Sequence, residues 1–192
     1  MPVNGPFEVE NVYEQAIRDK FEPPFFGWYF YNKENHELKG IQESFKYLQE
    51  YVNENGPFDG VFGFSQGTIM ARLLLKFAEY PSIKFAILFS PLLSFQANYI
   101  PDDPEATKKL ASEYSQAMFY SYGELEADSE YITQSIVKQG DYTLVIHKYG
   151  HNIPKFIEDD MLKFGTFLKK VYTQITGGHI EIGKCRVIDF RH

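Results

Sequence analysis

The chain predicts a single α/β domain in which a mostly parallel sheet is covered by helices on both faces. Three observations carry that expectation. Short apolar runs at 59–64, 84–90, 117–122 and 142–147 recur with helical or loop stretches between them. Runs apolar on both faces and separated by helices are what a buried parallel sheet requires. Ahead of the first run, Leu38, Ile41, Phe45, Leu48 and Val52 recur at spacings of three and four, which describes a helix with one buried stripe. Finally, 192 residues with 44% hydrophobic content are enough for one well-filled core and too few for two.

Taken in order, the first helix is expected over 36–55 and is stopped by Gly56-Pro57. The strand 59–64 runs into Gly63-Phe64-Ser65-Gln66-Gly67, and a helix over 66–80 follows with Ile69, Leu73, Leu74 and Phe77 on its packing side. After the strand 84–90, Pro91, Pro101, Pro104 and Asp102-Asp103 mark a loop and a short helix over 91–115. Loops at the carboxyl end of such a sheet usually shape a pocket. The strand 117–122 leads into a loop from Gly123 to Glu130, and 142–147 is the next strand. A last helix over 155–174 presents Phe156, Ile157, Met161, Phe164, Phe167, Leu168 and Val171, and Gly177-Gly178 closes it. The domain is therefore set at 1–176. The tail, 177–192, alternates around Ile180, Ile182, Val187 and Ile188 as a strand or hairpin would, with no function assigned to it. No internal repeat or low-complexity segment is visible.

Composition excludes several function classes. A net charge of -7, with no Lys/Arg cluster on an aromatic-studded face, argues against nucleic acid and anionic membranes. A small, neutral or apolar partner fits better. The lone Cys185 rules out an intrachain disulfide or a Cys-rich metal site. The N-terminus lacks the charged start and apolar stretch of a signal peptide, and no apolar run approaches the length of a membrane span. A cytoplasmic location is the expectation. There is also no Gly-rich loop ending in Lys-Ser/Thr, which disfavours phosphate binding.

The chemistry centres on Ser65. A serine between glycines, where a strand turns sharply into a helix, is lifted clear of the sheet, and the helix N-terminus behind it favours developing negative charge. A serine hydroxyl is a poor nucleophile at neutral pH, so it needs a base, and the base needs an orienting acid. His151 follows the strand 142–147, with Gly150 before it and Pro154 suiting a helix start. His147 is the rival, one step too early at the strand end, while His36, His179 and His192 have no comparable setting. The acid belongs in the loop after 117–122, where Glu124, Glu126, Asp128 and Glu130 compete. Glu126 is the first choice and Asp128 the second, and the residues themselves leave both open. Such chemistry needs no metal and no organic cofactor, because nucleophile and base do the work.

Trp28-Tyr29-Phe30-Tyr31, His36-Glu37-Leu38, Gly56-Pro57-Phe58-Asp59-Gly60-Val61, the serine pentapeptide, Tyr122-Gly123-Glu124-Leu125-Glu126 and Gly150-His151-Asn152-Ile153-Pro154 together resemble the FSH-type serine hydrolase family, a compact branch of the α/β hydrolases. The resemblance covers residues 1 to about 175. It implies Ser65 as nucleophile, His151 as base, Glu126 at a position where relatives usually carry Asp, and the Gln66 N–H as one oxyanion donor. Members hydrolyse carboxylic esters, and some release acyl groups from thioesters, so a small ester or thioester is the implied partner. In place of a proline that often follows the acid in relatives, this chain has Glu130.

Relatives also begin with a strand and a His-Gly-rich loop, and the resemblance implies that this chain starts beyond both, an N-terminally truncated form with 1–10 ending the next strand. That loop supplies the second oxyanion donor. Losing a donor typically costs about 2.7 to 4 kcal/mol of transition-state stabilisation. A catalytically impaired homologue that binds a ligand or protein is therefore the alternative function. Without its neighbour, the strand 59–64 would keep an open apolar edge prone to self-association. An incomplete product is the expected explanation, ahead of the N-terminus or tail filling the gap or a second chain pairing there.

Overall fold

The computed structural model describes residues 1–10, 18, 22–32, 37–78, 80–92, 114–137, 141–177 and 187–190. The chain runs β1 (Pro2–Val3), β2 (Phe7–Val9), β3 (Phe25–Gly27), β4 (Phe30–Asn32), β5 (Glu37–Lys39) and α1 (Ile41–Asn55). The serine region follows as β6 (Gly60–Phe64) and α2 (Gln66–Phe77), then β7 (Phe85–Phe89) and β8 (Ala117–Gly123). The remainder is α3 (Ser129–Val137), β9 (Tyr142–His147), α4 (Glu158–Thr176) and β10 (Val187–Phe190). Six of these strands form one sheet in the order β1-β10-β6-β7-β8-β9, and every pairing in it is parallel.

Alternation along the strands builds two cores, because successive side chains point to opposite faces. In β7, Ala86 and Leu88 pack with Leu48 and Val52 of α1, Ile69 and Leu74 of α2, and Ile132 and Ile136 of α3. Phe85, Ile87 and Phe89 face the other way, onto Phe167 and Val171 of α4. Helices therefore cover both faces, as the apolar runs require. The second core is aromatic: the ring of fully buried Phe119 lies 4.9 Å from Phe164, 5.4 Å from Phe167, 6.0 Å from Phe89 and 6.2 Å from Phe156. Burying a side chain of that size contributes roughly 1.5–3 kcal/mol, and it anchors the strand from which the acid loop leaves.

Several boundaries differ from the sequence expectation. The helix expected over 36–55 starts at Ile41, because Gly40 takes a left-handed φ of 91° and Glu37–Lys39 instead pairs antiparallel with Phe30–Asn32. Buried Leu38 thus belongs to a strand. The helix expected over 66–80 ends at Phe77. The last helix begins at Glu158 rather than 155 and carries Glu158, Asp159 and Asp160 in its first turn, where acidic groups complement the positive end of the helix dipole. The antiparallel pairing of β2 with β3 has no counterpart in the hydrophobic pattern. The loop and short helix expected within 91–115 lie mostly outside the described residues, as do Cys185, His36, His179 and His192.

The largest correction concerns the elbow strand. The sequence predicts an open edge for it, yet β6 pairs with β7 on one side and with β10 on the other, Val187 opposite Gly60 and Phe190 opposite Gly63. The tail occupies the gap, and β1 in turn pairs along β10. Backbone N–H and C=O groups of β6 that would otherwise face a bare edge are satisfied there. No helix among the described residues is long and apolar enough to cross a membrane.

Candidate active site

Ser65 sits between β6 and α2 with φ 51° and ψ -117°, a conformation a non-glycine residue holds only when its surroundings enforce it. The Ser65 N–H donates to the Phe89 carbonyl at 3.1 Å, and its own carbonyl accepts from the Thr68 N–H at 3.0 Å and the Thr68 hydroxyl at 2.6 Å. Gly63 is required by the same turn: a Cβ there would stand 2.7 Å from the Gly67 carbonyl oxygen, closer than van der Waals contact permits. The turn is thus tied on both sides, and the serine side chain is carried at the carboxyl end of the sheet.

The three residues singled out for catalysis come together. His151 Nε2 lies 2.9 Å from Ser65 Oγ, and its Nδ1 lies 3.1 Å from Glu126 Oε2. The His151 ring packs against Phe64, centroids 5.2 Å apart, which limits its rotation. The His151 side chain is 36% exposed, whereas that of Glu126 is only 7% exposed. Glu124, Asp128 and Glu130 are exposed, and the Asp128 carbonyl accepts the Ile132 N–H at 2.9 Å, at the start of α3. Of the two carboxylates, it is that of Glu126 that meets His151. His147 is buried, accepts the Tyr149 N–H at Nδ1 over 3.4 Å, and does not contact Ser65. Burial holds its pKa below the ordinary histidine value despite the nearby carboxylates of Glu126 and Asp160.

Other partners were not legible in the sequence. Glu126 Oε1 accepts the Gly123 N–H at 3.0 Å and the Ser90 hydroxyl at 2.9 Å. Burial pushes the Glu126 carboxyl up, but the hydrogen bonds from His151, Gly123 and Ser90 outweigh it and leave the pKa below its ordinary value. Gly123 is needed where it stands, since a Cβ would fall 1.9 Å from the Tyr149 carbonyl oxygen. The Gln66 side chain ties the start of α2 to the chain between β3 and β4. Its Oε1 accepts the Trp28 N–H at 3.0 Å and its Nε2 donates to the Tyr29 carbonyl at 3.3 Å, while the Ser44 hydroxyl donates to the Trp28 carbonyl. The connection between β3 and β4 is thereby pinned beside the serine. No cluster of three or more His, Cys, Asp or Glu side chains suited to a metal ion occurs among the described residues.

A parallel sheet with a strained serine between strand and helix, and with acid and histidine loops leaving later strands in the order Ser, Glu, His, has the α/β-hydrolase-like architecture. The serine hydrolase (FSH1) family model matches residues 1–160, and the chain belongs to that family. It is 34% identical over 107 residues to an esterase, C25G4.2, of Caenorhabditis elegans, covering 48% of each chain. It is 47% identical over 75 residues to family of serine hydrolases 3 of Saccharomyces cerevisiae, covering 34% of this chain and 28% of that protein. The chain therefore spans about half or less of the length of these relatives. Among solved structures, acyl-protein thioesterase 2 of Zea mays superimposes with a TM-score of 0.45 at 16% identity, over 81% of this chain and 76% of that one.

Proposed function

We propose that the protein is a serine hydrolase that cleaves carboxylic esters or thioesters through an acyl-enzyme on Ser65. The observation that carries this reading is the unbroken hydrogen-bonded line from Ser65 Oγ through both nitrogens of His151 to Glu126. With the carboxylate accepting from Nδ1–H, the free lone pair of the imidazole lies on Nε2, facing the serine. Ser65 Oγ attacks the acyl carbon while its proton passes to Nε2. The carbonyl oxygen becomes an anion beside the Gln66 N–H, at the positive end of α2.

Collapse of that intermediate breaks the bond to the alcohol or thiol, which leaves with the proton from Nε2. Water then repeats the cycle, giving its proton to His151 and releasing the acid with Ser65 restored. Glu126 stays ionised throughout and stabilises the imidazolium, which is the role its lowered pKa suits. The reading is tested with p-nitrophenyl acetate. Purified protein is expected to release nitrophenolate with saturation kinetics, and Ser65→Ala and His151→Ala to lose that activity while remaining folded by circular dichroism. Turnover that persists in Ser65→Ala contradicts the proposal.

A further inference from the structure

Among the described residues, the non-glycine positions with left-handed φ are Ser65 at 51° and Ser90 at 47°. They follow the carboxyl ends of two adjacent parallel strands, β6 and β7. Ser65 is explained by the elbow, but Ser90 belongs to no motif. It also precedes Pro91, and a residue before proline is steered toward extended backbone, so its conformation is doubly disfavoured. Strain of this kind persists where the surroundings over-determine it, and it gathers at functional sites.

Ser90 is fully buried, and its N–H donates to the Ser121 carbonyl at 2.7 Å. Its hydroxyl has one proton to give. The near acceptor is Glu126 Oε1 at 2.9 Å, and the far one is the Asn152 carbonyl at 3.5 Å, too long to compete. Oε1 therefore takes two donors, Ser90 and the Gly123 N–H, and Oε2 is left to His151. A glutamate side chain has considerable rotamer freedom to lose when it is held in one geometry. Without the second donor on Oε1, the carboxylate can turn about its last bond and withdraw Oε2 from the histidine.

We infer that Ser90 is a positioning residue for the hydrolysis proposed above: its strained backbone aims a hydroxyl that locks Oε1 of Glu126 and so keeps Oε2 on His151 Nδ1. The inference rests on that reading of the site. Two titratable side chains interact with the Glu126 carboxylate, His151 through the hydrogen bond and His147 through its charge. Removing a donor from Oε1 destabilises the carboxylate, so the Glu126 pKa rises when the Ser90 hydroxyl is lost.

The test compares Ser90→Ala, which keeps the strained φ, with Ser90→Gly, which relieves it. Rates on p-nitrophenyl acetate are normalised to the sites that a fluorophosphonate titrates, so that a misfolded fraction does not register as slow chemistry. Both variants are expected to lower kcat about tenfold, the value of one charge-assisted hydrogen bond, with KM little changed and the Glu126 carboxyl, followed by carbon-13 NMR, titrating at higher pH than in the wild type. Wild-type kcat per titrated site with an unmoved Glu126 titration overturns the inference, as does a loss in Ser90→Ala that Ser90→Gly repairs. If the wild type itself shows no turnover, the hydrolase reading fails separately. Carbon-13 NMR titration of the Glu126 carboxyl then decides for Ser90: a raised pKa in either variant supports the lock, and an unchanged one overturns it.

Discussion

At Glu126 burial and hydrogen bonding pull one carboxyl in opposite directions, and the hydrogen bonds prevail. The outcome is an ionised acceptor fixed against the Nδ1 side of His151. In Glu126→Gln an amide takes that place, and its NH2 end cannot accept from the imidazole. A histidine held in the wrong tautomer loses roughly 10⁴-fold in kcat in serine hydrolases of this logic, so a fall of about 10³ to 10⁴ is expected. Asp128→Asn changes an exposed group and should leave kcat within about twofold of wild type. Steady-state kinetics on the two variants checks both statements, and equal losses would contradict the assignment. Ser65 and His151 were legible because strand, turn and helix follow in a fixed order around them. The acid was not, because the loop holds several carboxylates and only its folding turns one of them inward. Ser90 was invisible, since a lone serine before a proline carries no pattern.

At the scale of elements, the strands of the central sheet were readable from their continuous apolar runs, and the helices from their stripes. The differences lie in short pieces whose pairing no hydrophobic period encodes. Glu37–Lys39 joins Phe30–Asn32 because Gly40 breaks the helical pattern locally, an effect outside the reach of periodicity. Val187–Phe190 alternates like a strand, but no local signal places it between β1 and β6. Its pairing with Gly60 to Gly63 makes it the immediate neighbour of the strand that carries Ser65. Removing residues 178–192 should expose the edge of β6, lower the thermal midpoint, and produce concentration-dependent association in sedimentation velocity. A truncated protein that stays monomeric with an unchanged midpoint would show that β10 contributes nothing to the sheet.

For the molecule as a whole, the titrating groups of the site set a direction for stability. Glu126 has a lowered folded-state pKa. Its contribution is complete above the unfolded value of about 4.3 and is lost as pH falls through the folded value. His147 is also lowered, by burial, so the native state prefers it neutral. Its contribution is complete above about pH 6.5 and is lost as pH falls through its own folded value. Urea unfolding from pH 8 downward should therefore show stability declining first below about pH 6.5 and further below about pH 4.3. Glu126→Gln should flatten the second decline and, by removing a charge that supports protonated His147, steepen the first. Stability that rises on acidification would contradict these assignments.

The α/β architecture and the setting of Ser65 follow from patterns that a parallel sheet imposes on a chain, because strands buried on both faces are apolar and parallel neighbours need a long crossover, usually a helix. The completion of the sheet by the tail and the locking of the acid follow from tertiary contacts alone. The central claim is that Ser65 is an activated nucleophile. It is tested most directly by intact-mass analysis after fluorophosphonate treatment, beside Ser65→Ala and His151→Ala. A single adduct on the wild type, absent from both variants, is the result predicted; a folded wild type that takes no adduct, or one that persists in Ser65→Ala, would contradict it.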